Sequence, residues 1–168
     1  MADSVPFDSL ELRRTLGAFA TGVTVISIID GEGKPRGMTV NSFNSVSLEP
    51  PLILWSLALN TPDFAAFQTA KRFAVNILAQ DQIAVSERFA ALLIADRFAG
   101  FKVSAGLGGV PLLDGCVAVL ECLTEAIYPG GDHIVILGRV ERLHRYLRAP
   151  LIFYDGNYVA VGRSLSAC

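Results

Sequence analysis

The run Val23-Thr24-Val25-Ile26-Ser27-Ile28-Ile29 leads directly into Asp30-Gly31-Glu32-Gly33. β-Branched residues favour a pleated, half-buried strand, and an Asp-Gly pair with a second glycine two positions on is hairpin-loop chemistry. The chain is therefore expected to return antiparallel through Arg36 to Phe43. The pattern repeats further on. Pro50-Pro51 punctuates before a buried run, Leu52 to Leu57, and Phe73-Ala74-Val75-Asn76-Ile77-Leu78 reads as another strand. Three more close the chain: Gly115 to Ala126, His133 to Leu143, and a short one near Asn157 to Val161. Between them lie only short helical patterns and no βαβ alternation, so six or seven strands with two or three helices predict an antiparallel barrel or sandwich.

The helical patterns are brief. Asp8 and Glu11 resemble a capping pair for a first helix, with Leu12, Leu16, Phe19 and Ala20 at helical spacing and Gly22 as its stop. Thr61-Pro62-Asp63 reads as a second start, Thr61 being the N-cap, with Phe64, Phe67 and Gln68 following. Residues 81–95 carry a third pattern, and Phe98 to Pro111 holds four glycines and reads as loop. The 168 residues suit one domain, with no repeat or interdomain linker.

Composition removes several functions. Charged residues make up 18%, against about 25% in an average domain, and hydrophobic residues 52%. Disorder is excluded, because apolar burial can offset the ordering entropy. With 14 basic and 16 acidic residues there is no basic excess for nucleic acid. Membrane spanning fails on length, since the best apolar run, Pro50 to Leu59, falls short of about 20 residues. Met1 to Leu12 lacks the early basic cluster of a signal peptide. Cys116 and Cys122 would sit about 20 Å apart on an extended strand, too far for a disulfide. With Cys168 they read as unpaired thiols in a reducing cytoplasm. The apolar surplus points to a buried subunit interface or an apolar cofactor.

Catalytic motifs are mostly missing. Gly31-x-Gly33 lies in a hairpin with no helix after it, so neither dinucleotide nor P-loop binding fits. Two histidines and three scattered cysteines make no metal site. The unusual stretch is Gly37-Met38-Thr39-Val40-Asn41-Ser42-Phe43-Asn44-Ser45-Val46-Ser47-Leu48-Glu49-Pro50-Pro51. Six hydroxyl or amide side chains fall within nine positions at a strand end, flanked by apolar residues. Such a row could serve a flat heteroaromatic ring with amide edges and a phosphate, or it could simply turn the chain through Asx and Ser turns.

That stretch resembles the flavin-binding segment of the flavin reductase family, the small reductase components of two-component flavin-dependent monooxygenases. Leu16-Gly17-Ala18-Phe19-Ala20-Thr21-Gly22-Val23-Thr24-Val25 is similar to the family's opening signature, and Phe73 to Leu78 to its mid-chain strand. Gly131-Asp132-His133 with Gly138-Arg139-Val140, then Pro150-Leu151 through Gly156-Asn157-Tyr158, follow in the family's order. The resemblance implies a mainly β fold, the six-stranded antiparallel Greek-key FMN-binding split barrel with a few short helices, spanning residues 1–168. It implies a homodimer with FMN or FAD near the interface and NADH or NADPH as reductant. Reduced flavin would diffuse to a partner monooxygenase. Thr39, Val40, Asn41 and Ser42 would hold the ring edge, and Ser45, Val46, Ser56 and Asn60 the ribityl and phosphate groups. His133 would orient and polarise near the ring, where nicotinamide stacks, and Tyr158 would lie beside the nicotinamide. Relatives often carry Lys or Arg shortly after the strand matching Leu52–Leu57, and this chain has Leu59-Asn60-Thr61 there. Hydroxyls, amides at the Thr61 helix start, Arg97 or Lys102 would then meet the phosphate. Two other readings share the fold: an electron carrier that keeps its FMN, and an oxidase of a small amine or vitamin phosphate, which would want a basic cluster. Trp55 reads as packing and His144 as a solvated residue.

Overall fold

Val25 pairs with Thr39 and Ser27 with Gly37, so the expected first hairpin is present, formed by β2 (Thr24–Ile29) and β3 (Pro35–Val40). The computed structural model describes residues 6–91 and 96–162. Ahead of that hairpin lie α1 (Ser9–Gly17) and the two-residue β1 (Thr21–Gly22). After it come β4 (Asn44–Leu48), β5 (Pro51–Ala58), α2 (Phe64–Thr69), β6 (Arg72–Ile77) and α3 (Ile83–Ala90). Then follow β7 (Val103–Ala105), a 3₁₀ turn at Leu107–Gly109, β8 (Pro111–Leu113), β9 (Ala118–Gly130) and β10 (His133–Arg145). The chain closes with β11 (Ile152–Tyr154) and β12 (Asn157–Val159).

Seven strands make the main sheet, in the order β3-β2-β6-β9-β10-β5-β4. Its two edge strands, β3 and β4, are consecutive in the chain, so residues 41–43 bridge the gap and close a split barrel. The six strands implied by the resemblance become seven here, with β1-β11-β12 and β7-β8 as small additional sheets.

Alternation sorts the side chains into two cores. Ile26, Ile28, Val75, Cys122, Trp55, Leu57, Ile134 and Ile136 point inward and are sealed by Phe67 of α2. Trp55 meets Phe67 and Phe73 edge-on, each with ring centroids 5.9 Å apart, so it packs as expected. Val25, Ala74 and Val119 face outward and are covered by Val85 and Phe89 of α3 together with Phe98, Val110 and Leu113. Gly37 is glycine for a packing reason, because a Cβ there would come within 2.6 Å of the Phe89 ring.

Several boundaries differ from the sequence reading. The Asp8 carboxylate does cap α1, accepting from Glu11 N at 2.7 Å, but the helix ends at Gly17 and Gly22 belongs to β1. Leu12 and Leu16 are exposed rather than packed (42% and 64%). The N-cap of α2 is Asp63, not Thr61; the Thr61 amide is spent on the Ala58 carbonyl at 3.1 Å. Residues 44–48 form an edge strand rather than a turn, and the glycine-rich segment holds β7 and β8. The third helical pattern ends at Ala90, and its portion at 92–95 lies outside the described residues, as does Cys168. Cys116 lies just before β9, not within it, and both it and Cys122 are buried free thiols. Burial pushes each thiol up to about 12.

The glycine-rich segment is held down by buried polar side chains. The Asn76 amide donates to Val25 O (3.0 Å) and Ser27 Oγ (2.9 Å), and its carbonyl accepts from Leu113 N (2.9 Å). Ser27 Oγ in turn donates to Pro111 O at 2.5 Å. Glu121, 2% exposed, accepts from Leu107 N at 2.5 Å, and Arg142 lies 3.5 Å and His144 3.8 Å from its other oxygen. His144 is accordingly solvated, but it also leans on a buried carboxylate.

Candidate active site

The expected residues fall into two groups, one at the end of β3 and one on the β5–β10 pair beside the split. The first group lines a cavity of about 220 Å³ bounded by Val23, Thr39, Val40, Asn41, Ser86, Ala90, Phe153 and Tyr158. Four of these eight (Thr39, Val40, Asn41 and Tyr158) are residues expected at the site. The walls come from separate elements. Thr39 and Val40 end β3, and Thr24 Oγ1 secures that end by donating to Val40 O at 3.0 Å. Ser86 rises from α3, where it shares a face with Val85 and Phe89. Phe153 and Tyr158 stand opposite each other on β11 and β12, their rings edge-on at 5.6 Å.

The cavity's hydroxyls are already organised. Thr39 Oγ1 donates to Ser86 O at 2.7 Å, and Ser86 Oγ shares a 2.9 Å hydrogen bond with the Tyr158 hydroxyl.

The second group is joined across the split. Ser56 N donates to Ser42 Oγ at 3.0 Å, and that hydroxyl donates back to Ser56 O at 3.2 Å. Ser56 pairs with Val135, and two residues earlier on β10 His133 pairs with Ala58. Ile134 and Ile136 point into the barrel, so His133 lies on the opposite, outer face with Val135. The His133 ring is oriented by Asp132, whose carboxylate lies 2.7 Å from Nδ1. This hydrogen bond holds Asp132 below the usual carboxylate range. An ionised Asp132 accepts, so Nδ1 carries the proton and Nε2 of a neutral ring is left as acceptor. Asn60 follows in the turn beside this hairpin, where Leu59 N donates to Asp132 O at 3.0 Å.

Asn41, Ser45 and Val46 are exposed, and none of the described residues hydrogen-bonds to the Asn41 or Ser45 side chain. This donor set suits a flavin. Amide and hydroxyl groups sit unpaired at a strand end beside an apolar wall, as a flat ring with amide edges requires. The phosphate expectations need correction. Arg97 is buried and committed: Nη1 donates to Gly37 O at 2.8 Å and contacts Asp63 at 3.2 Å, while Nε donates to Ala91 O at 3.1 Å. Lys102 is exposed and faces Asp114 at 3.6 Å, in a different cavity with His144 and Tyr146. The start of α2 carries the Asp63 carboxylate, 3.6 Å from Arg36 and 3.2 Å from Arg97, so it presents negative charge.

Residues 16–162 match the model of the flavin reductase like domain. The chain belongs to this family.

A probable flavin reductase of Rhizobium meliloti is 41% identical over 164 residues, which are 96% of this chain and 52% of that protein. The chain thus spans about half the length of that relative. The flavin-dependent monooxygenase reductase subunit of Rhodococcus jostii is 39% identical, over 92% of this chain and 78% of its own length. Among solved structures, the Streptomyces globisporus NADH:FAD oxidoreductase in complex with NAD and FAD fragments superposes with a TM-score of 0.88. It is 36% identical and covers 96% of this chain and 98% of that one.

Sequence reasoning missed four lining residues of this family member: Val23, Ser86, Ala90 and Phe153. Ser86 left a readable trace, being a polar residue between Val85 and Phe89 on the apolar face of a helix. Phe153 left none, because β11 was not separable from its surroundings by pattern.

Proposed function

We propose that this chain is an NAD(P)H:flavin oxidoreductase that reduces FMN or FAD and releases it to a separate flavin-dependent monooxygenase. The observation that carries the reading is the junction at the split. The β3 end brings Thr39, Val40 and Asn41 against an aromatic wall of Phe153 and Tyr158, with unpaired donors beside it. The family supports it, since relatives of this chain are a monooxygenase reductase subunit and an NADH:FAD oxidoreductase. Flavin, when bound, supplies a hydride acceptor; the protein has only to bind, orient and exclude water.

Thr39, Val40, Asn41 and Ser42 hold the ring edge in this reading. Ser45, Val46, Ser56 and Asn60 serve the ribityl and phosphate groups with neutral donors, which favours exchangeable flavin over a fixed cofactor. His133, held by Asp132, positions the nicotinamide by accepting from its carboxamide N–H through Nε2, without having to give up a proton. Tyr158 flanks the nicotinamide.

The active form is a homodimer in the cytoplasm. Leu10, Leu12 and Leu16 of α1 and Phe19 just after it are 53%, 42%, 64% and 77% exposed, an apolar stripe that water would otherwise cover. No described helix is long and apolar enough to cross a membrane.

NADH and NADPH oxidation, followed at 340 nm with and without added FMN or FAD, tests the reading. Oxidation that scales with added flavin beyond one equivalent supports it. Oxidation saturated by one tightly held flavin would point instead to the electron carrier. Light scattering at micromolar concentration should return twice the 18.0 kDa chain mass.

A further inference from the structure

We propose that Ser86 is a positioning residue that sets the width of the nicotinamide-binding slot by locking Tyr158 against the end of β3. This inference rests on the flavin reductase reading and deepens it.

α3 turns Val85, Ser86 and Phe89 toward the body of the protein, and Ser86 is 0% exposed. A buried hydroxyl needs a partner, and here it is the Tyr158 hydroxyl at 2.9 Å. The same residue's carbonyl accepts from Thr39 Oγ1 at 2.7 Å. One helical residue therefore ties the β3 wall of the cavity to its β12 wall. No other described side chain bonds either of those two hydroxyls.

The tie matters because β12 is weakly attached. It is a three-residue strand at the edge of the β1-β11-β12 sheet. That sheet meets the rest of the fold through the two-residue β1, through backbone bonds at Leu151 to Val23 N (3.2 Å) and Leu78 O (2.9 Å), through Asp155 N donating to Gly17 O (3.0 Å), and through Phe153 and Tyr158 resting on the outer core. Short, half-exposed elements with little buried apolar area open most readily. Without the Ser86 hydroxyl, the Tyr158 ring keeps its edge-on contact with Phe153 but loses its distance from Thr39. A flat pyridine ring bearing an amide needs that distance fixed.

The test is steady-state kinetics with NADH and free flavin on Ser86→Ala, Tyr158→Phe and the double variant, with melting temperatures alongside. One lost hydrogen bond corresponds to a rise in KM for NADH of roughly 2- to 12-fold. A slot that binds less well raises KM more than it lowers kcat. Both single variants should show the same rise, and the double variant should be no worse than either, since both remove one bond. KM within twofold of wild type in Ser86→Ala, with only the melting temperature lowered, would show a purely structural serine and overturn the proposal. So would effects that multiply in the double variant. If Ser86→Ala does not fold, Tyr158→Phe alone decides by the same KM criterion. A wild-type protein that shows no flavin-dependent NADH oxidation removes the flavin reductase reading and this inference with it, an outcome visible before any variant is compared.

Discussion

Asn41 and Ser45 on one side and Ser27 and Asn76 on the other are the same kinds of polar side chain on the same barrel, yet they end in opposite states. Asn76 is fully buried, and both its amide nitrogen and its carbonyl are taken up within the chain. It fastens the β7–β8 segment over the outer core. Asn41 and Ser45 are exposed, and no described residue hydrogen-bonds their side chains. A polar group whose partners lie within the chain contributes to the fold. One left unpaired beside an apolar cavity is available to a ligand, and desolvation then makes its loss costly. Saturation, rather than polarity, separates the two.

The largest effect should come from breaking the saturated region. Asn76→Ala takes the acceptor from Leu113 N and the side-chain donor from Val25 O and Ser27 Oγ, the last keeping its bond to Pro111 O, and an unsatisfied group in the core costs about 1–3 kcal/mol. A total on the order of 3 kcal/mol corresponds to a melting temperature lower by roughly 6–12 °C for a chain of this size. Calorimetry showing a shift under 2 °C would mean the knot is not load-sharing, and the contrast would collapse from that side.

Asn41→Ala should do the reverse. Flavin affinity, read by fluorescence quenching, is expected to weaken roughly 5- to 150-fold, equivalent to about 1–3 kcal/mol. The melting temperature without flavin should stay within about 1 °C. Unchanged affinity would return the whole stretch to turn chemistry.

His133 sharpens the comparison, since the only hydrogen bond of its side chain among the described residues is to exposed Asp132. His133→Ala should slow hydride transfer about 10- to 100-fold, because small misplacements carry costs of that order, while flavin affinity stays near wild type. His133→Asn should recover part of the rate. If stopped-flow shows Asn to be as damaging as Ala, proton donation rather than orientation is at work.

The smallest expected signal is an absence of reaction. Burial raises Cys116 and Cys122 to about 12, so neither should be labelled by a thiol reagent at pH 8 until the protein unfolds. Peptide mapping distinguishes them from Cys168. The unfolded thiols ionise from about pH 9 while the folded ones stay protonated. The unfolded state then binds fewer protons, and stability should fall as pH rises from about 9 toward 12.

Much of the barrel was legible because strand chemistry is local. The hairpin at Asp30–Gly33, the buried runs at 52–57 and 73–78 and the two long strands after Gly115 each carried their own pattern and appear close to where that pattern placed them. Short elements were not legible. β4, β7, β8 and β11 span only three to five residues each, and their existence depends on partners distant in sequence. The same holds for α2. Thr61 looked like a cap, but the carboxylate of Asp63 meets Arg36 at 3.6 Å and Arg97 at 3.2 Å, and the helix begins after it.

The sequence by itself determined an antiparallel β body, barrel or sandwich, a polar strand end at residues 39–47 and the types of side chain available there, because each follows from alternation, turn residues and composition. Which polar groups stay available was decided only in three dimensions. Arg97 could have served a phosphate until the fold spent it on Asp63 and Gly37. Ser86 could have been a tolerated helix serine until β12 brought Tyr158 within 2.9 Å of it. A hydrogen bond between residues 72 positions apart leaves no periodicity in the chain. It exists because two separately specified surfaces pack, and their packing is a property of the whole barrel.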